Sequence, residues 1–374
     1  MHSSRHAAAV VVAGALLLAA CSGGDAAEGE AAGGGGASEA PEAPEATAIT
    51  MGMAAEDTYT AEWWGWLAAD NLGYYEELGV DVEFVATGGS GDVMEQLLAG
   101  NLDAGNPSAP AFGEAALVGL DVVNMFTYSS GAIFGIFAPE DSGITDIAGL
   151  AGKNIGISEP GGGEVAFLEA ALRAEGIDPI TDVQLIPVGD GGPETLAALD
   201  NKSIDAYSTA YNDIFALQTA GYSLDDLTPD IYNTFPARGI ITTQAVLDEK
   251  PDAMQNLARG TAMGMYFCLE NTEACRDMMK TAIPAVFEPN AEGVSQGDLR
   301  FQLSLEQVQP DPENIGAHDV EGTQEFLDLI GSTSEEYQEV EASAVLNDEF
   351  IDYANDFDRE RVAEDAAGYE LQND

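Results

Sequence analysis

The sequence predicts an α/β chain of two similar lobes, each a parallel sheet flanked by helices, with a cleft between them. Three observations carry this. An order of strand, helix, strand, glycine turn, helix and short apolar-Asp-Ala strand occurs twice, ending first at Leu102-Asp103-Ala104 and again at Ile204-Asp205-Ala206. In both copies the second strand runs into glycines, Gly88-Gly89-Ser90-Gly91 and Gly189-Asp190-Gly191-Gly192-Pro193. The chain of 374 residues is also long enough for two compact units of ordinary size.

In chain order, residues 1–20 read as an export signal. Arg5 stands in a short polar start, and the apolar run from Ala7 to Ala20 is too short to remain as a membrane span. Leu18-Ala19-Ala20-Cys21 resembles a bacterial lipobox. On that reading Cys21 carries acyl chains that hold the protein at a membrane, against the alternative of an ordinary cleaved signal. Residues 21–47 are Gly, Ala, Glu, Pro and Ser with almost no large apolar side chain, and are expected to be a disordered tether.

The first copy opens with a strand at Ile49, Met51 and Met53. A helical pattern follows from Trp63 to Tyr75, then a strand at Val82–Ala86 and a helix at Asp92–Ala99 with Val93, Met94, Leu97 and Leu98 on one face. The second copy has a strand at Asn154–Ser158, glycines 161–163, a helix at Glu164–Ala174, a strand at Val183–Val188 and a helix through Leu196 and Leu199. Beyond Arg238 comes Ile240-Ile241-Thr242-Thr243, a helix over Asp248–Glu270 and further helices. The simplest arrangement makes residues 48–132 plus 240–374 one lobe and inserts 133–239 as the other. Two crossings then form a hinge above the cleft.

Composition narrows function. Sixty-six Asp and Glu against twelve Lys and Arg give a formal charge of -54, which excludes nucleic acid as a partner. The acids are spread along the chain, as suits a solvated surface in high salt, and no D-x-D-x-D-G calcium loop occurs. No metal site or cofactor is expected. Cys268 and Cys275 would lie in an oxidising compartment and are expected to pair, the alternative being two reduced buried thiols. On one unbroken helix their Cα atoms would be about 10 Å apart, too far for a bridge, so a break is expected at Asn271-Thr272-Glu273.

Several segments, weak singly, are specific in order and spacing. Asn71-Leu72-Gly73-Tyr74-Tyr75-Glu76-Glu77-Leu78-Gly79-Val80-Asp81-Val82-Glu83, Gly88-Gly89-Ser90, Leu98-Ala99-Gly100-Asn101-Leu102-Asp103-Ala104 and Asp146–Ile157 are similar to segments of the solute-binding proteins of ABC importers. Within these the chain resembles the SsuA/THI5-like, NMT1-like group, which takes up nitrate, taurine, alkanesulfonates and thiamine-pyrimidine precursors. The resemblance implies a two-lobed periplasmic-binding-protein-like (type II) fold. It also implies capture of a small solute, delivery to a permease and its ATPase, and a monomer on the outer face of the cytoplasmic membrane.

Sites of this kind lie at the C-terminal ends of parallel strands. Turn logic and resemblance together nominate Trp63, Trp64, Gly89, Ser90, Asn106, Ser108 and Tyr128 on the first lobe. On the second they nominate Gly162, Gly163, Tyr211, Asn212 and Asp213, with Arg238 near a crossing. The aromatic cluster and the acids Glu56, Asp57, Glu159 and Asp213 lean toward a planar, neutral or cationic solute over nitrate, a sulfonate or a carboxylate. An enzyme is the weaker rival, since only His318 remains among histidines after the signal and no G-x-S-x-G or H-E-x-x-H motif occurs. A lipid-anchored sensor using the same cleft is the other.

Overall fold

A computed structural model describes residues 46–55, 58–160, 162–290, 293–307 and 312–373. The export signal, Cys21, most of the tether, and Glu56, Asp57 and Gly161 lie outside the described residues.

Among the described residues ten strands form two five-stranded sheets. The first contains β1 (Thr47–Met53), β2 (Val80–Ala86), β3 (Ala104–Gly105) and β4 (Val123–Ser130). The second contains β5 (Phe134–Pro139), β6 (Asn154–Ile157), β7 (Gln184–Pro187), β8 (Ala206–Ala210) and β9 (Leu224–Asp226). β10 (Pro236–Thr242) returns to the first sheet. The orders are β2-β1-β3-β10-β4 and β7-β6-β8-β5-β9, so the two sheets share one plan.

In each sheet three strands run parallel, β2-β1-β3 and β7-β6-β8, as βαβ units require. β10 and β5 are antiparallel to their neighbours. The parallel sheets that the sequence predicts are thus present, and each also carries antiparallel strands. These two strands enter directly from the other sheet without a helical crossover, so nothing forces them parallel.

The repeated apolar-Asp-Ala segment has a structural task. Asp103 Oδ2 accepts the Thr50 amide at 2.9 Å, and Asp205 Oδ2 accepts the Asn154 amide at 2.9 Å. Each aspartate thereby ties the third parallel strand to the start of the first. Lys250 Nζ reaches Asp103 at 2.7 Å, and Lys153 stands 3.8 Å from Asp205.

Helices Trp64–Asn71 and Pro251–Glu270 pack across the first sheet. Gly264 lets them meet, because a Cβ there would stand 2.2 Å from the Gly65 carbonyl oxygen and 2.7 Å from the Ala69 nitrogen. The pattern over Trp63–Tyr75 is interrupted at Gly73, whose φ of 72° starts the separate turn Tyr74–Glu77. The helix expected over Asp248–Glu270 is likewise split, at Pro251, where the ring suits a first helical turn.

Cys268 and Cys275 are disulfide-bonded with Cα atoms 5.1 Å apart. The helix breaks at Asn271, whose Oδ1 accepts the Ala274 amide at 3.0 Å and starts a new helix at Thr272. The pairing and its cause are both as the sequence implies.

The chain leaves the first sheet after β4 and returns at β10. Aromatic packing joins the two halves at these crossings. Phe167, beneath the second sheet, has its ring 5.1 Å from that of Tyr232, which lies 5.2 Å from Phe235, itself 5.7 Å from Phe326. Each of these buried rings contributes roughly 1.5 to 3 kcal/mol by the area rule. No helix among the described residues is long and apolar enough to cross a membrane.

Candidate functional site

A cavity of about 390 Å³ lies between the strand ends of the two sheets. That volume suits a small organic molecule. One wall comes from the loop before helix Trp64–Asn71 and from β4 and β10, with Glu62, Trp63, Tyr128 and Arg238. The other comes from the ends of β6, β7 and β8, with Glu159, Gly162, Gly163, Glu164, Asp190, Tyr211, Asn212 and Asp213. Phe134 of β5 adds a half-buried ring. A third side, Arg300, Leu303, Ser304 and Gln307, comes from helix Gln296–Gln307.

Eight of the nominated residues therefore meet at this cavity: Trp63, Tyr128, Gly162, Gly163, Tyr211, Asn212, Asp213 and Arg238. The other five sit behind it. Trp64 is fully buried, and its Nε1 donates to Ser304 Oγ at 2.9 Å while Phe301 and Tyr128 crowd its faces. Consecutive helical positions point about 100° apart, so Trp63 meets the cavity and Trp64 meets the core. Gly89, Ser90, Asn106 and Ser108 form a brace in which Ser90 Oγ accepts the Ser108 amide at 3.0 Å. Arg238 covers that brace, donating from NH1 to the Asn106 carbonyl at 2.9 Å, with Ser108 and Arg238 joined by a β-bridge. The arginine thus lies against Asn106 and Ser108.

The guanidinium of Arg238 lies 5.8 Å from the Trp63 ring centroid, a cation–π distance. Burial pulls its pKa below the usual arginine value and the Glu62 carboxylate opposes that, so it remains a cation. Tyr128 is anchored from two sides. Its hydroxyl accepts the Gly65 amide at 2.8 Å and its ring stacks 3.9 Å from Trp66. These contacts fix the floor of the first wall before any solute arrives.

The second wall presents two helix N-termini, at Gly163–Ala174 and Tyr211–Thr219. Each carries a carboxylate of its own. Glu164 folds back so that Oε1 accepts the Ser158 amide at 2.9 Å, and a Cβ on Gly162 would lie 2.3 Å from the Glu164 carboxylate. Asp213 Oδ2 accepts from Thr209 Oγ1 at 2.5 Å. Burial pushes both carboxyls above the usual range, Asp213 to about 6, with Asp190 and Glu164 adding to the rise at Asp213 and Arg300 opposing it.

Glu62, Glu164, Asp190, Arg300 and Gln307 were not singled out by the sequence reading. Glu164 and Asp190 lie within or beside glycine turns that were, so the turn logic could have reached them. Helix Gln296–Gln307 has no glycine turn or repeat to mark it, and is held at the cavity by long-range contacts, Phe301 and Ser304 on Trp64 and Gln307 Nε2 donating to the Ala132 carbonyl at 2.8 Å.

The profile of the NMT1/THI5-like family matches residues 60–275. Riboflavin-binding protein RibY of Chloroflexus aurantiacus is 26% identical over 238 residues, 62% of this chain, and the chain spans 64% of that relative's length. Among solved structures, the periplasmic aliphatic sulphonate-binding protein SsuA of Escherichia coli matches with a TM-score of 0.60 at 16% identity, covering 80% of this chain and 97% of that one. The desulfurization enzyme DSZB matches with a TM-score of 0.54 at 17% identity, covering 82% of this chain and 98% of that one. Both structural likenesses are of fold, the periplasmic-binding-protein fold that the resemblance implies.

Proposed function

This chain belongs to the NMT1/THI5-like family, and from that premise we propose that it is the extracytoplasmic solute-binding component of an ABC importer. It captures a small, planar, neutral or cationic organic solute in the 390 Å³ cavity and delivers it to a membrane permease. Residues 48–132 with 240–374 act as one lobe and 133–239 as the other. The crossings at β4–β5 and β9–β10 serve as the hinge. Cys21 holds the protein at the outer face of the membrane through acyl chains.

One observation carries the choice of solute. The two helix N-termini on the second wall, where a sulfonate or nitrate would be held by backbone amides, already face the carboxylates of Glu164 and Asp213. Along the whole lining five acids, Glu62, Glu159, Glu164, Asp190 and Asp213, stand against two cations, Arg238 and Arg300, so the balance of charge disfavours an anion. A neutral or cationic ring instead finds Trp63, Phe134 and Tyr211 for contact and carboxylates for its N–H groups.

Binding without catalysis is favoured by what lines the cavity. Among the described lining residues none is His or Cys. His318 stands elsewhere, with Nδ1 at 2.7 Å from Thr127 Oγ1 and Nε2 at 3.3 Å from the Asn347 carbonyl. That pairing holds its ring in place and leaves no nitrogen for chemistry in the cleft.

The test is a thermal-shift screen of the chain without its signal against flavins, pyrimidines, purines, aromatic amines, sulfonates and nitrate. Heteroaromatic or cationic compounds should raise the melting temperature in a concentration-dependent way. Shifts from sulfonates or nitrate alone would refute the solute class. No shift from any class would refute solute capture.

A further inference from the structure

Both carboxylate oxygens of Glu62, on the first wall of the cavity, are buried and have no hydrogen-bond donor among the described residues. A buried carboxylate left in this way is strongly disfavoured, because it has given up water and gained nothing in return. Neither arginine of the cavity satisfies it: Arg300 leaves its own Nε buried and without a partner among the described residues. Arg238 feels the charge of Glu62, but its NH1 donates to the Asn106 carbonyl at 2.9 Å and no ion pair joins the two among the described residues.

Resting on the reading of the cavity as a solute site, we propose that Glu62 is the specificity-determining acceptor. The solute it selects presents two neighbouring N–H donors on one planar cationic group, an amidinium, a guanidinium or a protonated 2-amino heterocycle. Two carboxylate oxygens match two parallel N–H groups, and the pair is stronger when the donor is charged. The neighbouring surfaces fit that chemistry. Trp63, Tyr128, Phe134 and Tyr211 line the same cavity with aromatic surface, and the far wall adds Glu164, Asp190 and Asp213.

Benzamidine, benzamide and benzoate share one shape and differ in what they offer a carboxylate: two donors, one donor with one acceptor, and acceptors only. Titration calorimetry of the wild-type chain should show benzamidine bound at least about tenfold more tightly than benzamide, with benzoate not bound. Glu62→Gln keeps the size but replaces one acceptor by a donor. It should weaken benzamidine about tenfold or more and bring the benzamidine-to-benzamide ratio near one. A Glu62 that only steadied Arg238 would weaken both probes alike.

Equal affinity of the wild type for benzamidine and benzamide, or an unchanged ratio in Glu62→Gln, overturns the proposal. So does an absence of benzamidine binding. If Glu62→Gln does not melt cooperatively, the wild-type order of the three probes decides alone. The broader reading of solute capture falls only if the larger screen also gives no shift.

Discussion

Asp213→Asn isolates the electrostatic cost built into the second wall. In the folded chain the Asp213 carboxyl is pushed up to about 6, from an ordinary value of 3.8, chiefly by burial. The protonated form is therefore the one the fold prefers. Below about pH 4 the group is protonated in both folded and unfolded chains and contributes no difference. As pH rises through 4 to 6 the unfolded chain ionises freely while the folded one resists, so stability is lost, and the loss is complete above about pH 6. A shift of roughly two units corresponds to about 3 kcal/mol, an upper figure because Asp213 is not wholly shielded.

Asparagine keeps the shape and can still accept from Thr209 Oγ1, which donates to Asp213 at 2.5 Å. The variant should thus gain about 2 to 3 kcal/mol at pH 8 and close to nothing at pH 4. Urea unfolding followed by tryptophan fluorescence at the two pH values reads both numbers. The general repulsion from a net charge of -54 acts on both proteins and cancels in the difference between them. A gain that is the same at both pH values, or a loss at pH 8, would refute the placement of an unpaired buried charge at residue 213.

Other parts of the account can be tested as directly. Replacing Cys268 and Cys275 together by serine should lower stability more under oxidising conditions than in reductant, the difference being about 2 kcal/mol, since the bridge closes a loop of seven residues. Gly264→Ala should cost about 1 to 3 kcal/mol, because its Cβ meets backbone atoms of Gly65 and Ala69 rather than a movable side chain. Gly91→Ala, inside helix Ser90–Leu98 with nothing within 4 Å of the new Cβ, should instead gain about 0.5 to 1 kcal/mol by thermal or urea denaturation. Trp64→Phe removes the bond to Ser304 and should cost about 1 to 2 kcal/mol of stability while leaving solute affinity unchanged.

The duplicated plan was legible because local chemistry enforces it. The Asp103 and Asp205 carboxylates each need a backbone amide one strand away, which fixes the same short segment in both halves. Gly162 and Gly163 were legible for a related reason. A Cβ on Gly163 would lie 2.9 Å from the Phe134 ring, so the close approach of helix and strand demands glycine there. The break at Asn271 could be read because Cys268 and Cys275, expected to pair in an oxidising compartment, cannot be bridged along an unbroken helix.

What escaped the sequence depends on long-range packing. Whether Trp63 or Trp64 faces the cleft is decided by helix Gln296–Gln307, more than 200 residues away, whose Ser304 claims the Trp64 indole. The turn at Gly88–Ser90 looks like a ligand loop, yet it does not line the cavity, and Ser90 instead accepts the Ser108 amide, a contact that no local pattern reveals. Glu62 is likewise silent in sequence. Its interest comes from missing partners, which only three-dimensional placement can show.

The central claim is that a solute sits between the two sheets and touches both. A crystal structure of the chain with a compound that raises its melting temperature tests this most directly. Density is expected in the 390 Å³ cavity, within contact of Trp63 and Arg238 on one side and of Tyr211 and Asp213 on the other. Density bound on an outer face, or touching one wall alone, would contradict it.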